Sequence, residues 1–177
     1  MEGRIMKGGL DGAKRQVGVV VGAGGTARAA IIALQSFDVE EVRIWNRSVG
    51  KAEGLAKEFG VRVVERAEEL FVDGDEGTVF LVVGTVPAGA QEGGDLDLAK
   101  VFGVEGVNKA KGGVLVEMAY RPRETALVKA AKGVGWATVE GIEVLEEQGF
   151  EQFARWTGRK APQAVIRREV RRKYDEQ

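Results

Sequence analysis

The apolar run Val17-Gly-Val-Val-Val21 leads directly into Gly22-x-Gly24-Gly25-x-Ala27, and about two dozen residues later the chain reads Asn46-Arg47-Ser48. The first stretch has the form of a buried strand turning through glycines into a helix whose free N-terminal amides can hold a pyrophosphate. Gly22 would make the turn, Gly24 would let phosphates approach the backbone, and Ala27 would let helix and strand pack closely. The second stretch stands where a dinucleotide fold that binds NAD places a carboxylate on the ribose 2′-hydroxyl. Here there is no acid. Arg47 offers a planar cation instead, with Asn46, Ser48 and Lys51 as neighbouring donors, which suits the 2′-phosphate of NADP. A glycine turn used only for packing, and Arg47 and Lys51 as solvated loop charges, are the plainer readings of the same residues.

These groups need a scaffold, and the rest of the chain supplies one. Apolar, β-branched runs near residues 17–21, 42–46, 61–64, 79–83, 113–117 and 136–139 alternate with helical patterns near 25–36, 49–59, 122–133, 141–156 and 162–173. That alternation predicts an α/β, Rossmann-like doubly wound parallel sheet of about six strands with helices on both faces. Gly60 stops the second helix, Gly133 and Gly135 close the one expected to begin near Pro122, and Pro162 opens the last. The glycine-containing stretch from 84 to 108 is expected to be a surface loop with a short helix. Residues 1–15 read as an N-terminal extension with little order, 16–158 as the nucleotide-binding domain, and 159–177 as a basic C-terminal helix and tail of that domain.

Ligands in such sheets bind beyond the carboxyl ends of the strands. This selects residues 22–26 and 46–48, then Gly84 and Thr85, Met118 to Tyr120, and Gly141. Gly84 and Thr85 would pass beneath a bound cofactor, or would simply end a strand ahead of Pro87. Tyr120 could offer its hydroxyl to a substrate or shield the sheet edge. Ile142, Leu145, Gly149, Phe153 and Trp156 are expected to form one apolar helical stripe, flanked by Gln148.

Composition bounds the function classes. The chain has 177 residues, 44% of them apolar, enough for one well-buried domain. Its 26 basic and 27 acidic side chains nearly cancel, so bulk charge argues for neither nucleic acid nor membrane. With no cysteine and no histidine, disulfides, thiolate nucleophiles and the usual general base and metal ligands are excluded. No metal site is expected. No apolar run reaches the ~20 residues of a membrane span, and a cytoplasmic location is expected. The basic segment with Arg159, Lys160, Arg167, Arg168, Arg171, Arg172 and Lys173 reads as an amphipathic helix with a solvated face, because no aromatic residues interleave to favour nucleic acid. Its apolar positions Val165, Ile166 and Val170 would favour a homodimer if exposed.

Over about residues 16–172 the chain resembles the shikimate and quinate dehydrogenases, in particular the C-terminal shikimate dehydrogenase region of the fungal pentafunctional AROM polypeptide and its quinate-repressor relatives. The resemblance rests on Gly22-Ala-Gly-Gly-Thr-Ala-Arg28, Asn46-Arg47-Ser48, Glu117-Met-Ala-Tyr-Arg-Pro122, Gly141-Ile-Glu-Val-Leu-Glu-Glu-Gln148 and Phe153-Ala-Arg-Trp-Thr-Gly158. It implies that Gly22, Ala23, Gly24, Gly25 and Thr26 cradle the NADP pyrophosphate, and that Asn46, Arg47, Ser48 and Lys51 hold the 2′-phosphate. Met118 and Gly141 would border the nicotinamide, and Tyr120 and Gln148 would face a substrate of the shikimate or quinate class. The family's activity is the NADP-dependent interconversion of 3-dehydroshikimate and shikimate.

The same resemblance exposes a departure. The family's substrate domain supplies a Lys and Asp pair in Asn-Val-Thr-x-Pro-x-Lys and Asn-Thr-Asp, and a Ser-x-Ser carboxylate site. With asparagine only at 46 and 108 and serine only at 36 and 48, none of these motifs occurs in this sequence. No catalytic residue is assigned, and Glu117, beside the implied nicotinamide site, is read either as structural or as a support for residues that touch the ligand. The chain is therefore expected to be inactive alone, either as the cofactor half of a dehydrogenase whose N-terminal substrate domain lies elsewhere, or as a non-catalytic regulatory module of the quinate-repressor type.

Overall fold

The computed structural model of the protein describes residues 16–37, 39–71, 78–91, 102 and 113–176. The expected N-terminal extension and most of the loop between 84 and 108 lie outside the described residues. What is described of that loop begins with a single 3₁₀ turn, Ala88–Ala90.

Among the described residues one sheet has six strands: β1 (Gln16–Val21), β2 (Glu41–Trp45), β3 (Arg62–Val63), β4 (Thr78–Gly84), β5 (Val114–Glu117) and β6 (Ala137–Val139). All pairings are parallel, in the order β3-β2-β1-β4-β5-β6. The order reverses between β1 and β4, which opens a crevice beyond their carboxyl ends. β1 lies between β2 and β4, with Val20 in register with Ile44 on one side and Val83 on the other. Burial on both faces explains why it reads as an unbroken apolar run.

Side-chain alternation along β1 sends Val17, Val19 and Val21 to one layer and Val20 to the other. The first layer packs beneath α3 (Ala126–Gly133) through Leu127, Val128 and Ala131. The second packs beneath α1 (Gly25–Ser36) and α2 (Val49–Phe59) through Ala27, Ala30, Ile31, Leu34, Ala52 and Leu55. Helices therefore cover both faces, as the alternating sequence pattern predicts. The remaining helices, α4 (Gly141–Thr157) and α5 (Gln163–Asp175), follow β6 and pack against each other. None of the described helices is long and apolar enough to cross a membrane.

Two expectations are corrected. The helix expected from Pro122 begins at Ala126, because the Thr125 hydroxyl accepts the Val128 N–H and caps it there. The apolar stripe expected on α4 is not its buried face. Trp156 is 80% exposed and Leu145 38%, while the buried positions are Gly141, Ile142, Glu146 and Phe150. α4 is turned so that a carboxylate faces inward, where Arg167 Nε donates to Glu146 Oε2 at 2.9 Å and Arg171 Nε to Oε1 at 2.7 Å. Two guanidiniums from α5 make that burial tolerable, which residue-by-residue hydropathy does not register.

Candidate functional site

All the sequence-selected residues but Gln148, which lies within the helix Gly141–Thr157, sit at or just beyond the carboxyl ends of the strands, in two groups separated by the switch between β1 and β4. In the first group Gly22 has φ +113°, and its N–H donates to the Trp45 carbonyl at 2.8 Å, tying the end of β1 to that of β2. A Cβ at Gly22 would collide with the Thr85 hydroxyl, so both the conformation and the space require glycine. Thr85 secures the other side. Its N–H and its Oγ1 both donate to the Val21 carbonyl, at 2.8 and 2.9 Å. Thr85 thus lies under the glycine turn, with its hydroxyl committed to the backbone.

Beyond that seam the surface is open. Gly24, Gly25 and Thr26 are exposed, Ala23 is half-buried, and a Cβ at Gly24 or Gly25 would meet nothing within 4 Å. No side chain caps the N-terminus of α1, and its first turn holds no acid. At the tip of β2, Asn46 Nδ2 donates to the Ser48 carbonyl at 2.9 Å and bends the chain into α2. Arg47, Ser48 and Lys51 are exposed, and among the described residues neither cation has an acidic partner. Free amides beside unpaired cations, with no carboxylate at the strand tip, form an electropositive cradle suited to phosphate.

The second group is built differently. Glu117, the last residue of β5, is completely buried. Its Oε1 accepts the Ala119 N–H at 2.9 Å, while Oε2 accepts Gln91 Nε2 at 2.9 Å and the Thr125 hydroxyl at 2.7 Å. Gln91 Nε2 also donates to the Val86 carbonyl, and its Oε1 accepts the Leu127 N–H at 3.2 Å. Desolvation pushes the Glu117 carboxyl above its ordinary range, against the pull of these donors. The geometry suits an ionised carboxylate, since every group that meets it is a donor.

This network supports the turn carrying Met118 and Tyr120. From the opposite side the turn rests on Gly141, where a Cβ would collide with the Ala119 carbonyl and lie 2.7 Å from the Tyr120 nitrogen. Gly84 is buried beneath, with a Cβ there placed 3.1 Å from Glu117 Oε1. Met118 is half-buried, Tyr120 is 46% exposed, and Gln148 is exposed on α4. The Tyr120 hydroxyl and the Gln148 amide form no hydrogen bond within the described residues. A depression of about 300 Å³ beside Tyr120 is walled by Arg121, Leu145, Val170 and Tyr174, and includes no residue of the glycine turn.

Sequence reasoning selected the residues of the open group as candidates and missed the partners of the buried one. Thr125 carries a legible signal, a cap residue three positions before Val128. Gln91 carries none, because it follows Pro87 in a segment without periodicity. Glu146 was hidden by its charge.

A six-stranded parallel sheet that turns through a glycine loop at its switch point defines a Rossmann-like fold. Comparison with known proteins narrows the class. The family model described as "Shikimate / quinate 5-dehydrogenase" matches residues 5–72, and that described as "Shikimate 5'-dehydrogenase C-terminal domain" matches residues 141–171. The chain is 35% identical to the pentafunctional AROM polypeptide of Mycosarcoma maydis over 84% of its length and 10% of the relative's. It is 31% identical to the quinate repressor protein of Emericella nidulans over 90% of its length and 20% of the relative's. The shikimate 5-dehydrogenase of Thermus thermophilus, solved in complex with NADP(H) and shikimate, superposes with a TM-score of 0.70 at 30% identity, over 88% of this chain and 54% of that one. The protein belongs to the shikimate/quinate dehydrogenase family, and it spans about half or less of each of these relatives.

Proposed function

We propose that this chain is the NADP-binding half of a shikimate or quinate dehydrogenase, serving the interconversion of 3-dehydroshikimate and shikimate together with an N-terminal substrate domain. The observation that carries the reading is the pair of exposed cations Arg47 and Lys51, without an acidic partner among the described residues, beside the open glycine turn and with no carboxylate at the tip of β2. A carboxylate there would serve a ribose 2′-hydroxyl and repel a phosphate; a guanidinium reverses the preference through paired N–H···O contacts. The nicotinamide cofactor would supply the hydride. The chain's own residues bind and orient it: the turn made by Gly22, whose own N–H stays on Trp45, presents the amides of residues 23–26 to the pyrophosphate, and Asn46, Arg47, Ser48 and Lys51 take the 2′-phosphate. Gly84 and Thr85 floor the crevice, while Met118 and Gly141 border the nicotinamide. Tyr120 and Gln148 offer free polar groups to the substrate.

Hydride transfer also needs a group to take or return the alcohol proton. No residue here is assigned that part, so the reading leaves it, with most substrate contacts, to the partner domain. Residues 16–158 act as the cofactor domain, with 159–177 held to it through Glu146, and the cytoplasmic location expected from the sequence is retained. Calorimetric titration with NADP⁺ and NAD⁺ tests the reading. NADP⁺ should bind at least about tenfold more tightly, and Arg47→Ala should abolish the preference. Equal affinities in the unsubstituted protein would refute it.

The similarity to the quinate repressor protein, together with the missing proton-transfer motifs, favours a second reading, a regulatory module that binds nucleotide without catalysis. Turnover regained on adding a separately expressed substrate domain from a family dehydrogenase would exclude it.

A further inference from the structure

In the buried network around Glu117 both carboxylate oxygens are paired, and the cofactor cradle does not use it. Its position gives it a task. A dinucleotide bound across the β1/β4 crevice with one nucleotide over Arg47 must lay the other over the ends of β4, β5 and β6, because the strand order runs outward in opposite directions from the switch. The backbone met there is the Met118–Tyr120 turn. That turn is held at its start by the Met118 N–H on the Gly84 carbonyl at 2.9 Å, and beyond it by the Ala119 N–H on Glu117 Oε1 and the Ala119 carbonyl against Gly141. Glu117 is in turn fixed by Gln91 and Thr125, which come from separate segments of the chain.

We propose that Glu117 is a positioning residue which, braced by Gln91 and Thr125, fixes the Met118–Tyr120 turn against Gly141 and so sets the seat of the second, non-adenosine nucleotide. This rests on the reading of the site as a dinucleotide site. It assigns different parts of the ligand to different residues: Arg47 governs the phosphorylated adenosine half, and Glu117 governs only the other half. A residue that merely held the fold together would weaken both halves alike.

Two probes separate the halves: adenosine 2′,5′-bisphosphate, which reaches only the β1–β3 side, and NADP⁺, which spans both. Both are titrated into the protein and into Glu117→Gln, with Thr125→Val and Thr125→Ser as a second pair in case Glu117→Gln does not fold. Glu117→Gln and Thr125→Val should bind the bisphosphate within about twofold of the unsubstituted protein and NADP⁺ about tenfold more weakly. Thr125→Ser, which restores the hydroxyl to Glu117, should recover NADP⁺ binding. The emission of bound NADPH, which reports the surroundings of its reduced ring, should shift toward that of free NADPH in the first two variants and not in the third. A parallel loss of both probes, or no loss of either, overturns the proposal while leaving the dinucleotide reading intact. Failure of the unsubstituted protein to bind the bisphosphate overturns both.

Discussion

The two halves of the strand-end surface solve opposite problems. Beyond β1 and β2 several groups assigned to the ligand are exposed, among them Gly24, Gly25, Arg47 and Lys51, and neither cation has an acidic partner among the described residues. Beyond β4 and β5, Tyr120 apart, the polar side chains that shape the turn are buried and paired, with Glu117 accepting three hydrogen bonds from Gln91, Thr125 and Ala119. Exposed donors cost the fold little and remain available to a ligand. Buried ones stabilise a backbone shape only while every partner is present. Affinity and geometry are thus carried by different residues, and substitutions should separate them.

The largest effect is expected on the buried side. Glu117→Ala strands one N–H of the Gln91 amide and the Thr125 hydroxyl proton in a dry site and frees the Ala119 N–H, which should cost about 3 kcal/mol in urea denaturation. A loss under about 1 kcal/mol would mean that water reaches the network, and would erase the contrast between the two halves. Gly22→Ala comes next, at about 2 kcal/mol, because it combines a positive φ with a collision against Thr85. Gly24→Ala is its counterpart. The extended backbone and open space at Gly24 predict a stability change within about 0.5 kcal/mol, with loss of NADP⁺ binding as the added methyl blocks phosphate approach.

Acid should distinguish the two buried carboxylates by sign. Burial would raise the Glu146 pKa, but hydrogen bonds and charge from Arg171 and Arg167 outweigh it, and the folded value lies below the ordinary 4.5. Its stabilisation is therefore present above pH 4.5 and lost as pH falls through the folded value. Glu117 lies above 4.5 in the folded protein, chiefly by desolvation, so its contribution is fullest below that pH and declines as pH rises through the folded value. Glu146→Gln should flatten the acid limb of the stability profile and cost about 1 kcal/mol near neutrality, since its arginine partners are half-exposed. An unchanged acid limb would show that α5 is not latched through Glu146.

The fold was legible wherever burial is uniform. β1 and β4 are apolar on both faces, β2 keeps one fully apolar face through Val42 and Ile44, and α1 and α2 show one apolar side each, so the sequence pattern located them within about a residue. Legibility failed where charge is buried with a distant partner. Glu146 reads as solvent-facing until Arg167 and Arg171, more than twenty residues later, are brought beside it. Gln91 reads as loop until Glu117 is seen beneath it. In the candidate site the exposed half could be selected from spacing alone, because a glycine turn and the tip of the next strand are local features. The buried half could not, because its three side chains come from segments joined only by the fold.

The smallest expected change in stability is also the sharpest test of the contrast. Arg47 touches no acidic partner among the described residues, so Arg47→Ala should leave the denaturation midpoint nearly unchanged, within about 0.5 kcal/mol. The same substitution should weaken adenosine 2′,5′-bisphosphate binding by about tenfold or more, with the loss shrinking as salt is raised, as expected for an exposed charge pair. Glu117→Ala inverts that pattern, with large destabilisation and little effect on the bisphosphate in the molecules that remain folded. If Arg47→Ala instead destabilised the protein, the guanidinium would be part of the scaffold, and the division between a half that binds and a half that positions would fail at its simplest point.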